Sequence, residues 1–192
     1  NNNPGTVVGS PVFDQDVSTG ETWLDLSGDR QHVGLGSFDV IGDGITLAAW
    51  VKGRDFTNNG NDARFISKTA STAEQDHVFM LSEHRGQARL RIKAGGETQT
   101  LMGGQLFDGV WYHVAGTYDA DTGTMTLFVD GVEMASAQQH AAGAHLDIDP
   151  DINVCLGGNP DGTHLLNGML DDVMIYSRAL EATEIQQLFN GQ

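Results

Sequence analysis

Alternation of apolar and polar side chains sets the first expectation. Between residues 44 and 52, Ile45, Leu47, Ala49 and Val51 fall on one face of an extended strand and Thr46, Ala48, Trp50 and Lys52 on the other. Residues 88–93 alternate strictly, Leu90 and Ile92 inward, Arg89, Arg91 and Lys93 outward, as in a half-buried antiparallel strand. Shorter apolar runs predict strands at 23–26, 32–35, 65–68, 77–82, 110–118, 124–129, 132–137 and 152–156, with one or two more over 165–176. A loose terminal strand is expected around Val7, Val8, Val12 and Phe13. Turns are expected at His84-Arg85-Gly86, Asp108-Gly109, 119–123 and Asp130-Gly131, and 138–151 is an Ala/Gly/Asp-rich connection. Only the end is helical in pattern: Leu180, Glu184, Ile185, Leu188 and Phe189 share a face, with Gly191 beyond as a stop. About a dozen short strands and one short C-terminal helix predict an all-β fold, a two-sheet antiparallel jelly-roll sandwich, with residues 1–192 as a single domain.

Composition supports many tight turns: 25 glycines are spread along the 192 residues, with only 4 prolines. No apolar run approaches the ~18 residues of a membrane-spanning helix, so no transmembrane segment is expected. The chain has no initiator Met and no leader pattern at Asn1, which reads as a mature fragment or an excised module. Acidic residues outnumber basic ones 26 to 10, a formal net charge of −16, so no nucleic acid partner is expected and an anionic membrane surface is disfavoured. That excess reads as a solvated acidic surface, as charge gathered around divalent cations, or as both at once. The lone Cys155 forbids an internal disulfide and, within an apolar run, is expected to be a buried small hydrophobe.

Three motifs in order carry a resemblance. Residues 108–119, reading DGVWYHVAGTYD, are followed by Thr122-Gly123 and by Leu127-Phe128-Val129-Asp130-Gly131. Residues 167–180 read NGMLDDVMIYSRAL, with Glu184-Ile185 after them. Residues 24–35 and 45–52 form the opening strands. Together, over roughly residues 22–189, these resemble the laminin-G-like family of the concanavalin A-like lectin/glucanase fold, which is related to pentraxins. Most of the motif is structural in this reading. Trp111, Val114 and Tyr118 need a core, which Trp50 is expected to share. Asp130-Gly131 suits a tight hairpin, and Arg178 is expected to tie the last strand to a carboxylate or to backbone carbonyls.

Catalysis finds little support. The glucanases of this fold place three carboxylates on one strand at E-x-D-x-x-E spacing, and that spacing is absent. The seven histidines show no metal-protease spacing, and His113 reads as a strand residue. Calcium takes about six to eight oxygens, and three Asn/Asp-rich places offer them: 55–62, with Asp55, Asn58, Asn59, Asn61 and Asp62; 157–162; and Asp171-Asp172 together with the turn from Asp25 to Asp29. Ordinary turn chemistry is the alternative at each. The run 147–151 begins like an EF-hand loop but lacks its Gly and its bidentate Glu. Carried over by position from pentraxins, the resemblance implies calcium ligands Asn61, Asp62, Asn159 and Asp161. From bacterial relatives it implies Asp171 and Asp172. His164 joins Asn61, Asp62, Asn159 and Asp161 as a ligand-contacting candidate, and Trp23, Phe56, Phe107 and His164 are candidates to stack on a sugar.

The expected function is a non-catalytic carbohydrate-binding or adhesion module, calcium-dependent, within a larger secreted or cell-surface protein. Its partner would be a glycan or surface polysaccharide. A protein- or peptide-binding adhesion module on the same calcium rim is the second reading, and a glycoside hydrolase or lyase of the same fold the third.

Overall fold

The computed structural model describes residues 5–27, 29–57 and 62–191. Asn58, Asn59 and Asn61 lie outside the described residues. In chain order the strands are β1 (Thr6–Val8), β2 (Val12–Gln15), β3 (Thr22–Ser27), β4 (His32–Gly34), β5 (Gly44–Gly53), β6 (Arg64–Thr69), β7 (His77–His84) and β8 (Gln87–Ala94). Then come β9 (Glu97–Gln105), β10 (Tyr112–Asp119), β11 (Thr124–Val129), β12 (Val132–Gln138), β13 (Val154–Leu156) and β14 (Asn167–Tyr176). Helix α1 (Ala182–Phe189) closes the chain.

Two seven-stranded antiparallel sheets result: sheet A in the order β1-β4-β13-β6-β7-β8-β9 and sheet B in the order β12-β11-β10-β5-β14-β3-β2. The predicted jelly-roll sandwich with its C-terminal helix is what forms. Between the sheets lies a core that includes Ile45, Leu47, Ala49 and Val51 of β5 and Leu90 and Ile92 of β8, the faces that alternation assigned.

The outer face of sheet B holds a second, smaller core. Leu180 and Ile185 of the helical end pack there on Ala48, Ala115 and Phe128. A capping box between Glu181 and Glu184 starts α1. Arg178 grips Glu184 with both terminal nitrogens, at 2.8 and 2.6 Å, the carboxylate partner expected of it. Trp50 belongs to this outer side. It stacks on Phe189 at 5.6 Å and meets His113 edge-on, instead of sharing the core with Val114 and Tyr118. Cys155 is buried as expected, and burial pushes its thiol up to about 11.

One strand departs from the apolar pattern. The sequence predicts no strand over 97–105, yet β9 pairs with β8 along its length. Its Thr, Gln and Gly residues dilute the alternation, and the two-residue Gly95-Gly96 turn, both at positive φ, makes the hairpin. Near the end of β9 the register with β8 slips at Gly104, and β12 slips against β11 at Met134. These two bulges face each other where the sheets' edges meet: a Cβ on Gly104 would lie 2.6 Å from Val129 and 3.0 Å from Met134.

Candidate functional site

Strand register builds a charged cluster on the outer face of sheet A. Arg64 of β6 pairs with Ser82 of β7, which pairs with Arg89 of β8. Alternation sends Arg89 outward, but its side chain is only 3% exposed and that of Arg64 only 1%. Both guanidiniums converge on Asp62 Oδ1. Arg64 Nε also donates to Asn159 Oδ1 at 3.2 Å and its Nη1 to the Asp62 carbonyl at 3.2 Å. Arg89 Nε donates to Ser82 Oγ at 3.0 Å. On the solvent side, Nδ1 of His164 and of His84 stand 3.6 and 3.8 Å from Asp62 Oδ2. His164 holds a left-handed backbone, φ 52°.

The structure therefore gathers three of the expected residues, Asp62, Asn159 and His164, at one rim. Asp161 sits on the same loop, where its Oδ1 accepts from the Thr163 N–H at 3.0 Å and hydroxyl at 2.6 Å. Asn61 lies outside the described residues. Asp171 and Asp172 lie elsewhere, on β14 of sheet B, where Asp171 accepts from the Asp172 N–H at 2.9 Å. Arg64, Arg89 and His84 carry the rim cluster and were missed. Phe56 is not a stacking platform: it is fully buried against Phe65. Phe107 is 54% exposed, Trp23 half-buried. The acidic run 147–151 is used in turns, Asp147 accepting from Gly96 N–H and Asp149 from Asp151 N–H.

Electrostatics make this rim a poor seat for calcium at its described residues. Burial would raise the Asp62 carboxyl, but Arg64 and Arg89 overcome it and hold the group below the usual carboxylate range. Its charge is thus already compensated by two guanidiniums, which also repel a divalent cation, and Asn159 Oδ1 is taken by Arg64. Among the described residues no group of three His, Cys, Asp or Glu side chains is arranged to hold a metal ion. Burial, with the neighbouring guanidiniums, lowers the pKa of His84 and His164, favouring neutral imidazoles.

Strand β7 carries buried titratable groups near both ends. His77 is fully buried, its Nδ1 3.1 Å from the Glu74 carbonyl, and burial pushes its pKa down to about 4. Glu83 is fully buried, accepting the Gly86 N–H at 2.6 Å and the Ala63 N–H at 3.4 Å, and burial pushes it up to about 7. From pH 6.5 down to about 4, the unfolded chain takes up a proton at His77 that the native state refuses, so stability falls on acidification. Between about 4.5 and 7 the native state holds a proton at Glu83 that the unfolded chain has lost, so stability falls as pH rises. The two slopes, each about 1.4 kcal/mol per pH unit, oppose one another where they overlap. Glu83→Gln is expected to expose the first slope and His77→Gln the second. Urea midpoints measured from pH 4.5 to 6.5 check this, and identical slopes in both variants would refute it.

Similarity to known proteins follows the same fold. Residues 27–186 match the family model described as the concanavalin A-like lectin/glucanases superfamily, laminin G type. The human pentraxin-related protein PTX3 is 32% identical over 153 residues, covering 76% of this chain and 38% of that protein, so the chain spans well under half of this relative. The heptameric SAP-like pentraxin of Limulus polyphemus superposes with a TM-score of 0.59 at 18% identity, covering 77% of this chain and 70% of that one. A botulinum neurotoxin DC binding domain, solved in complex with SialylT, superposes with a TM-score of 0.71 at 13% identity, covering 98% and 46%. With a matching family model over most of its length and the two-sheet architecture that model describes, the chain belongs to the concanavalin A-like lectin/glucanases superfamily as a laminin-G-like domain.

Proposed function

We propose that this chain is a non-catalytic recognition module that binds a glycan at the Asp62 rim of sheet A, within a secreted or cell-surface protein. The observation that carries the reading is the fixed cluster of polar side chains around Asp62. Asp62 is gripped from beneath by Arg64 and Arg89, while Oδ2 faces His84 and His164. Groups held by buried partners lose little freedom on binding, and hydroxyl recognition gains from such pre-organisation. A neurotoxin binding domain solved with SialylT contains this fold in the 46% of its length that this chain covers.

Glu83 does not serve as a catalytic acid in this reading. Glu83 carries a raised pKa near Asp62, a pairing that could suggest a catalytic acid. It is fully buried with its oxygens on backbone N–H groups, out of reach of a substrate. No helix among the described residues is long and apolar enough to cross a membrane.

A glycan array and a peptide panel, each run with calcium and with EDTA, test the reading. Binding to one or more glycans is expected, to persist in EDTA, and to weaken about tenfold or more in the His84→Ala/His164→Ala variant. Capture by peptides alone would replace it with a protein-adhesion role. Loss in EDTA would move the site to calcium held at Asn61 and Asp62 or at Asp171 and Asp172.

A further inference from the structure

All three tryptophans of the chain stand on the outer face of sheet B, on the other side of the sandwich from the Asp62 rim. Alternation places them there: Leu24, Val51 and Tyr112 turn toward the core, so Trp23, Trp50 and Trp111 turn away from it. Each is half-buried. Trp50 is already covered by Phe189 of α1, stacked at 5.6 Å with planes 29° apart. Trp23 and Trp111 form the other aromatic pair. Their rings meet edge to face, 6.4 Å between centroids and 67° between planes, which makes an aromatic step. The Trp23 indole N–H is buried and finds no acceptor among the described residues.

Polar groups fence this step. Asp14 pairs across from Trp23. Leu170 pairs with Leu24 and Asp171 with Trp50, so Asp171 stands between Trp23 and Trp50. In the next row Met169 pairs with both Asp25 and Lys52, and Asp25 is held by Arg54 at 2.6 Å. Burial, with the charges of Asp172 and Glu21 adding, lifts Asp171 above the usual carboxylate range.

We infer that the Trp23–Trp111 step is a second binding site, and that its ligand is a neutral pyranose chain. A pyranose ring has an apolar C–H face and a hydroxyl edge. An indole offers the matching apolar face, and the surrounding carboxylates and the Lys52 ammonium offer hydrogen-bond partners for the edge. A protein partner would call for a broad apolar patch with charge depleted at its centre, and here charges adjoin the rings on several sides. Asp14, Asp25, Asp171, Asp172 and Glu21 outnumber Lys52 and Arg54, which repels uronates, sulfated sugars and phosphates. The inference rests on the glycan-binding reading above but places a separate site on the opposite sheet, so the two can fail independently.

Affinity electrophoresis through gels containing dextran, laminarin or galactomannan, with tryptophan fluorescence titration, tests it. At least one neutral polysaccharide is expected to retard the protein and shift its emission. Trp111→Ala should weaken that binding about tenfold or more, Trp111→Phe should recover part of it, and His84→Ala/His164→Ala should leave it unchanged. Glycans bound at the Asp62 rim should in turn be indifferent to Trp111→Ala. No retardation in any neutral gel, or wild-type binding by a folded Trp111→Ala, overturns the inference. Should that variant misfold, acrylamide quenching of the wild-type tryptophans decides: the polysaccharide must reduce it, and unchanged quenching overturns the site.

Discussion

Replacing Asp39 with Ala is expected to destabilise the protein by about 3–5 kcal/mol, although Asp39 is a loop residue near the surface. The reason is Lys68. It sits on β6 with its side chain wholly buried, and its ammonium donates to the Phe38 carbonyl at 2.7 Å and the Ile152 carbonyl at 3.1 Å, with Asp39 Oδ1 2.9 Å away. That carboxylate is the ammonium's one ionic partner among the described residues, and the same oxygen accepts the Asp149 N–H at 2.9 Å. Burial works against the Asp39 charge, but the hydrogen bonds from Lys68 and the Asp149 N–H, with the Lys68 charge, outweigh it and lower its pKa. Removing Asp39 leaves a dehydrated cation with two carbonyls and no counter-charge. Lys68→Met, by contrast, removes the buried charge and keeps the apolar stem, while Asp39, 13% exposed, can turn to water. It should cost less, and the double variant should recover much of the loss. Urea unfolding of the three variants measures the effect; a single Asp39→Ala loss under about 1 kcal/mol would contradict this account.

The second large effect is expected at Asp62. Asp62→Ala strands two guanidiniums that have almost no contact with solvent, and a loss of about 3–5 kcal/mol follows from the same physics. Here the direction of rescue identifies the cause. Adding Arg89→Met to Asp62→Ala removes one unpaired cation and should restore part of the stability, while Arg89→Met alone should destabilise. Burial already pulls the Arg89 guanidinium down to about 10, a sign of how little water it retains. Thermal melts of the four proteins give the coupling. Additive losses would mean that Asp62 and Arg89 act separately.

Side-chain periodicity carried most of the fold, because an antiparallel strand with one wet face writes its burial into every second residue. Leu90 and Ile92 were legible for that reason. The burial of Arg89 just before them was not, because an outward position in one strand says nothing of the loops that descend on it from elsewhere. The rim was half legible. Asp62, Asn159 and His164 lie in turn-rich loops that invite a site, but the cation that joins them comes from Arg64, whose Nε reaches Asn159, 95 residues on. Such contacts are set by the pairing of β6 with β13, which no local pattern specifies. Tryptophan placement shows the same limit. The alternation of β5 put Trp50 on the correct face, yet the motif around Trp111 suggested a shared core, and only sheet order shows that this face meets α1.

The paired bulges at Gly104 and Met134 have a consequence for how the molecule behaves in a crowd. The free margin of a sheet is a template on which a strand from another chain can add, the first step toward fibres. β9 and β12 are such margins, one in each sheet. Each is kinked out of line near the other, with Gly103 close enough that a Cβ there would stand 3.1 Å from Ala135. A straight incoming strand cannot follow either margin along its whole length, so this flank resists growth into ribbons without needing a helix to cover it.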